Sequence, residues 1–358
     1  MVTKISEERM AKYRAISTEN IFEMKDKAIQ DFLERSGKEG FNIGGENFLE
    51  HHGFFQAPHT KNLDGVDIAL VGVPMDQGAP HWPGTRHGPQ AARKWSRIHG
   101  PVHRATKCIP FDCCNIIDYG DVDFTSYSGT QRHEDIFETY SRLKDSNVVP
   151  LSVGGEHTMS HPILKALGRD EPVGLVHLDS HADTGGTPPG WDETTNDCSI
   201  FRKAVLDGVV DPERTVQIGI RGRFSILWDF SYDSGMRLIP ADEVHERGTK
   251  SIIEEVRDTI GDGPFYLTLD TDVFDPAYLP ATTLPEPFGL TSIQVRDILR
   301  GVRGMDLVGA DITELCPPRD NPAESSANLV AGCLFELLCL LSEACVARTG
   351  QTRKTHWS

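Results

Sequence analysis

At 358 residues the chain can bury a sizeable core as one large α/β domain or two smaller ones, and 25% charged with 38% hydrophobic residues reads as globular. A formal net charge of −17 at pH 7 opposes binding to nucleic-acid phosphates or anionic lipid and favours a small cationic substrate. No run approaches the roughly 18 apolar residues of a membrane span, and the start, MVTKISEERMAKYR, has no apolar signal-peptide core, so a cytoplasmic protein is expected. Eight cysteines without a Cys-x-x-Cys pair suggest reduced, buried thiols, neither disulfide staples nor zinc ligands.

Residues 1–60 read as a partly helical N-terminal extension, 61–350 as a single domain and 351–358 as a tail. Within the extension, Ile21, Phe22, Ala28, Ile29, Phe32 and Leu33 recur at helical spacing and Gly37 is a helix stop. Such a stripe must pack on its own domain or on a neighbouring subunit. Val66–Val71 is a continuous apolar run ending at Gly72, as in a strand buried on both faces. The Gly- and Pro-rich connection that follows, VPMDQGAPHWPGTRHGPQAARKW, is longer than usual, and Pro89 opens a helix within it. Strands are then expected at 148–153, 173–178, 215–220, 236–239, 265–270 and 306–312. Helices are expected around 136–143, 199–207, 251–260, 292–303 and 325–346. This alternation predicts a three-layer α/β/α architecture with a mostly parallel central sheet, in which ligands bind at the carboxyl ends of the strands.

The charged turns fall at those ends. In VHLDSHADT, Asp179, His181 and Asp183 occupy every second position, and extended backbone would put them on one face. His157 follows VPLSVGGE, Asp270 and Asp272 end the run FYLTLDTD, and Glu314 ends GADITE. Singly, each has a plain alternative, a helix-start residue for His157 and a turn or cap for the Asp-x-Asp pair. Gathered on one rim, hard oxygen and imidazole donors suit divalent first-row ions. Four carboxylates among six donors exceed what one ion needs, which favours a two-metal cluster with ions roughly 3.5–4 Å apart.

These motifs resemble those of the ureohydrolase (arginase/agmatinase) family: GGEHT at 154–158, DSHADT at 179–184 and LDTDVFDPA at 269–277. Agreement extends to VGVPMDQG, PGTRHGP, YGDVD, IGIRG and DITELCPP, so the likeness spans about residues 61–350. The resemblance implies an arginase-like fold and two divalent ions, Ni(II) or Mn(II). One would be held by His157, Asp179, Asp183 and Asp270, the other by Asp179, His181, Asp270 and Asp272. It implies hydrolysis of a guanidino compound to urea and an amine. Asp183 and Glu314 would act at the reacting centre, with Glu314 pairing to the guanidinium, and subunits would assemble as homo- or hetero-oligomeric trimers or hexamers.

One departure concerns the His-Gly-x-x-Phe segment of many members, whose His is a proton shuttle. Here Asp197-Cys198-Ser199-Ile200-Phe201 stands in its place, leaving Asp197, Glu314, His81 and His87 as candidates for proton transfer. Trp191, Asn196, Asp197, Glu314 and His87 are the candidate substrate-binding residues. The N-terminal extension, Trp191 and the missing His are similar to the nickel-dependent branch acting on guanidine, dimethylguanidine or metformin. Agmatinase or guanidinobutyrase activity is the alternative, and a non-catalytic subunit of a mixed oligomer is another. A single-metal zinc deacetylase would need tandem histidines at a strand end, and His51-His52 lies in the extension.

Overall fold

The computed structural model describes residues 5–17, 27–38, 53–78, 82–187, 189–190, 194, 196–222 and 225–350. The chain divides into two compact units, residues 1–46 with 356–358, and residues 47–355. In the first, α1 (Glu7–Ile16) starts at Ser6, whose hydroxyl accepts from the Arg9 amide at 3.3 Å, and it buries no residue. Helix α2 (Lys27–Lys38) covers the latter part of the expected amphipathic helix and runs through Gly37 instead of stopping there; residues 18–26 lie outside those described.

The second unit is built on an 8-stranded parallel sheet: β1 (Ile68–Val73), β2 (Ile116–Asp121), β3 (Val149–Gly154), β4 (Val173–Leu178), β5 (Val210–Ile220), β6 (Arg237–Pro240), β7 (Phe265–Asp270) and β8 (Leu307–Thr313). Their spatial order is β2-β1-β3-β8-β7-β4-β5-β6, every adjacent pair being parallel. The apolar runs VGLVHL and FYLTLD are buried at every position, as strands covered on both faces must be. The helices in this unit are α3 (Gly88–Ser96), α4 (Pro110–Cys113), α5 (Gly129–Asp145), α6 (Ser160–Leu167), α7 (Ile200–Leu206), α8 (Asp229–Ser234), α9 (Ala241–Ile260), α10 (Ser292–Gly301) and α11 (Ser325–Thr349).

One face of the sheet packs on α5, α6 and α7, where Ile136, Tyr140, Ile163, Leu164 and Phe201 meet Ala69, Val71, Leu175 and Tyr266. The other face carries α3, α10 and α11. Edge strand β2 escaped the sequence reading because its acids interrupt the apolar pattern: IIDYGD buries its first four residues and leaves the last two half-exposed. Residues 53–60, read from sequence as part of the extension, are bonded to the sheet unit; the Phe54 amide donates to buried Asp118 at 2.9 Å and the Phe55 amide to Ser96 at 2.9 Å.

Helix α11 corrects a second expectation. At 25 residues with a mean hydropathy of 2.0 over its most apolar window, it is long and apolar enough to cross a membrane, although no such run was expected. The protein itself buries 72% of that window, so here the apolarity covers the sheet. All eight cysteines are free thiols, and six of them are buried.

Parallel pairing puts the site in register. Leu178 of β4 pairs Leu269 of β7, which pairs Ile312 of β8, which pairs Val153 of β3. Each strand ends at one of these four positions or one residue beyond it, so the turns that follow leave the sheet at one level, along neighbouring strands.

Candidate metal centre

His157, two residues beyond the Gly154-Gly155 turn, opens a short 3-10 turn after β3. Asp179 follows β4, Asp270 ends β7, and Asp272 lies in the turn after it. The imidazole Nδ1 of His157 lies 3.2 Å from Asp179 Oδ2, 3.3 Å from Asp183 Oδ2 and 3.3 Å from Asp270 Oδ2. A second group forms around His181, whose Nδ1 is 2.9 Å from Asp272 Oδ2 and 3.6 Å from Asp179 Oδ1. Asp179 is common to both groups, and its two oxygens face opposite ways, Oδ2 to His157 and Oδ1 to His181.

The route by which these residues converge differs from the alternation read from sequence. Strand β4 stops at Leu178, and Asp183 has φ 52, a left-handed turn that brings its carboxylate back beneath His157. Side-chain alternation does operate one step earlier, at His177 and Asp179. His177 is fully buried, and its Nε2 lies 2.7 Å from Asp179 Oδ2. Gln217 Nε2 donates to the other ring nitrogen at 3.0 Å and to the Ala182 carbonyl at 2.6 Å, so His177 Nδ1 is an acceptor and Nε2–H donates to Asp179. His177 therefore orients the shared carboxylate. The sequence reading passed over it, although carrying the two-residue period backwards from Asp179 would have found it.

The electrostatics follow from crowding acids and imidazoles out of water. Burial opposes ionisation of Asp179, yet His177, His157 and His181 outweigh it and hold its pKa well below the usual carboxylate value. Burial, Asp272 and Asp179 push Asp270 well up; burial and Asp179 also raise Asp183. Burial disfavours charge on His157 and His181, but their carboxylate neighbours lift both well above the ordinary imidazole value. His157 Nδ1 is buried and makes no directed hydrogen bond, despite three carboxylate oxygens around it. Oxygen and nitrogen donors converging in this way fit a divalent first-row cation, and His157, Asp179, Asp183, Asp270, His181 and Asp272 are the residues that would hold it.

The Arginase family model matches residues 66–339. The chain belongs to the arginase family. It is 39% identical over 293 residues to guanidinopropionase of Pseudomonas aeruginosa, covering 81% of this chain and 92% of that protein. To mitochondrial agmatinase of Gallus gallus it is 40% identical over 287 residues, 79% and 84% of the two chains. Among solved structures, proclavaminate amidino hydrolase from Streptomyces clavuligerus superposes with a TM-score of 0.79 at 32% identity, covering 83% of this chain and 99% of that one. This arginase-family chain is a hydrolase of guanidino C–N bonds.

Around the metal-ligand set of this family member stand further acids. Glu314, at φ 64 just beyond β8, accepts from the His157 amide at 2.7 Å and from the Thr283 hydroxyl at 2.5 Å. Its pKa is well raised by burial and by the charges of Asp197 and Glu156, against the Thr283 bond. Glu156 is fully buried, accepting from the Thr158 amide at 2.9 Å and the Gly78 amide at 3.3 Å; burial raises its pKa. Asp197 opens the turn into α7, and burial with the charges of Asp183 and Glu156 pushes it up to about 7.

Other sequence candidates fall elsewhere. Asn196 is buried, but its amide donates to Thr187 at 3.0 Å and Ser199 at 3.2 Å, tying the loop to itself. His87 is exposed in a separate cleft with Gln90, Lys94, Asp320 and Glu324, and the structure does not bring it to the cluster, because the 3-10 turn before α3 points it outward. Trp191 and His81 lie outside the described residues. Arg221, within the IGIRG motif, was not singled out, yet it buttresses the site. Its guanidinium donates to the carbonyls of Gly219 (3.0 Å), Asp272 (2.7 Å), Glu286 (2.8 Å) and Pro287 (3.0 Å), joining the metal-site turn to the neighbouring loop.

Proposed function

We propose that this chain releases urea from a small or alkylated guanidine or a biguanide, the class of guanidine, dimethylguanidine and metformin, using two divalent ions, Ni(II) or Mn(II). The observation that carries this reading is the sign of the charge around the cluster. Outside the metal-ligand set, Glu314, Glu156 and Asp197 act on one another electrostatically. In sequence, the segment from Gly185 to Ser199 holds Asp192, Glu193 and Asp197 and no Lys, Arg or His, Asp192 and Glu193 lying outside the described residues. Arg86, a cation on the neighbouring connection, is committed to Asp76 through Nε at 2.8 Å. An anionic substrate tail would meet acids that already resist ionising beside one another, whereas a guanidinium, planar with forked donors, brings the positive charge that favours the ionised form of Glu314.

The His and Asp donors would hold the divalent ions, which when bound would supply a water acidified enough to act as nucleophile near neutral pH. Glu314 orients the guanidinium carbon towards that cluster, and Asp183 holds its side of the ligand set. Carbon–nitrogen cleavage also needs a proton delivered to the departing amine, and Asp197, which burial and the charges of Asp183 and Glu156 push up to about 7, is the acid assigned to hold it.

A second reading is favoured by the comparisons. Guanidinopropionase and guanidinobutyrase at 39% identity act, by their names, on guanidino acids, and agmatinase at 40% on agmatine. Elemental analysis with a urea-release panel of guanidine, dimethylguanidine, metformin, agmatine, guanidinobutyrate and guanidinopropionate separates the readings. About two ions per chain and highest kcat/KM on a tail-free guanidine is the expected result. Fastest turnover of a guanidino acid or agmatine transfers the assignment to the second reading.

A further inference from the structure

We infer that Cys114 and Cys345 form a peroxide-reactive dithiol, with Cys345 as the attacking sulfur and Cys114 as the resolving one. Their oxidation would join the approach to edge strand β2 to the last turns of α11. The pair sits at the opposite end of the sheet from the metal ligands. Cys114 caps α4, two residues before β2 begins. Arg348, about one turn beyond Cys345, donates to the Asp306 carboxylate at 2.7 Å and the Leu307 carbonyl at 3.0 Å, where β8 begins. Both cysteines are buried. Cys114 Sγ lies 3.7 Å from the Ser342 carbonyl, and Ser342 and Cys345, three residues apart on α11, share a face. The two thiols are hydrogen-bonded to each other.

A cation divides the roles. Arg348 Nη2 donates to Cys345 Sγ at 3.4 Å, and a guanidinium has no acceptor, so the Cys345 sulfur receives at this contact and its thiolate gains a charge-assisted partner. The Cys114 bond and the Arg348 charge hold the Cys345 pKa below the ordinary thiol value, against burial and the charge of Asp67. The same thiol–thiol bond and burial raise Cys114, which keeps its proton. Cys108 and Cys113 are also bonded to each other, but both are pushed up: at Cys108 the Cys339 bond and burial outweigh the Cys113 bond, and at Cys113 the Cys108 bond and burial add. The Arg348 side chain is 31% exposed, so the Cys345 sulfur lies one group beneath the surface, a depth that suits a small hydroperoxide. The Cys345 thiolate attacks one peroxide oxygen; the S–O bond forms, the O–O bond breaks, and the hydroxide released takes up a proton. The Cys114 sulfur then attacks the sulfenic sulfur; the S–S bond forms, the S–O bond breaks, and the Cys114 proton leaves with that oxygen as water. Two thiols are oxidised and one hydrogen peroxide is reduced to two waters.

The test treats the folded full chain with hydrogen peroxide, blocks remaining thiols with N-ethylmaleimide under denaturing conditions, and maps the products by mass spectrometry. Two of the eight thiols should be lost first, in a single disulfide joining the Cys114 and Cys345 peptides that dithiothreitol reverses. Cys114→Ser, or Cys114→Ala if the serine is not accommodated, should leave Cys345 as a sulfenic acid that dimedone traps. Arg348→Gln should slow the first oxidation by about tenfold, and Arg348→Lys, which restores a cation, should bring it back to within about threefold of wild type. Retention of all eight thiols overturns the inference, as does a first disulfide between Cys108 and Cys113 or thiol loss that dithiothreitol does not reverse. A wild-type rate in Arg348→Gln, or dimedone labelling at Cys114 in Cys345→Ser as fast as at Cys345 in Cys114→Ser, overturns the division of roles.

Discussion

Glu314 adopts φ 64, a left-handed conformation that costs a non-glycine residue on the order of 1–3 kcal/mol and persists only where its surroundings hold it. Both carboxylate oxygens are anchored, by the His157 amide and by Thr283, which fixes the side chain next to the metal ligands without making it one. Glu314→Gln should therefore reduce kcat/KM by about 100-fold or more, through loss of the charge-assisted pair to guanidinium, while metal content by elemental analysis stays at the wild-type level. Loss of both ions in that variant would reassign Glu314 to the metal centre. Asp179→Asn differs in kind: a shared carboxylate is neutralised, so activity and metal content should fall together in the same two assays. At this scale the ligand residues were legible because hard donors at strand ends have few other uses. His177 and Gln217 were not. A buried His or Gln inside a strand carries no sequence mark of what it bonds, and its partners lie on other elements.

Elements carry these residues with unequal security. Phe201, near the start of α7, is fully buried, with its ring centroid 4.3 Å from that of His177 and 5.4 Å from that of His157. Phe201→Ala should cost about 3–5 kcal/mol in chemical denaturation and loosen both imidazoles, and a loss under about 1 kcal/mol would show that the pocket closes over the gap. The connection between β1 and α3 is secured differently. Buried Asp76 accepts from the Gly84 amide at 2.9 Å and from Arg86, bringing the two ends of the segment together. Burial raises the Asp76 pKa, but the Arg86 bond, the Gly84 bond and the Arg86 charge outweigh it, and the net shift is downward from 3.8. A depressed carboxylate contributes stability above its unfolded pKa that is lost as pH falls through the lower, folded value. Wild type should therefore lose this contribution only below about pH 4. Asp76→Asn should lack it at neutral pH, by about 1 kcal/mol given that half of the Arg86 side chain is exposed. Urea melts of both proteins at pH 7 and pH 3.5 test this, and an equal difference at both pH values would rule it out. The long Gly- and Pro-rich connection was visible as unusual in the sequence, whereas the pairing that closes it was not, because an Asp and an Arg ten residues apart are common without touching.

For the whole molecule, alternating strands and helices made the parallel α/β class readable, while the strand order β2-β1-β3-β8-β7-β4-β5-β6 was not. Nothing local in LVGADIT says that β8 lies between β3 and β7, yet that insertion sets Glu314 beside His157. Helix α11 shows the converse: its composition passes for a membrane span, and only the packed structure shows what it covers. Net charge is a property at this scale, legible from composition alone, and it makes a prediction that contacts do not. A formal charge of −17 together with acids around the cluster should draw in a cation over a distance set by screening, about 30 Å at 0.01 M ionic strength and 8 Å at 0.15 M. For a cationic guanidine, kcat/KM should fall several-fold as sodium chloride rises over that range, while kcat, measured at saturation, stays flat because the bound complex is screened little. Guanidinobutyrate, which carries both signs, should show a weaker dependence. Steady-state kinetics at fixed metal concentration provide the measurement. Salt-independent kcat/KM for the cation would mean that the surface charge does not reach the site, and a steeper salt dependence for guanidinobutyrate would contradict the acidic surroundings assigned to the cluster.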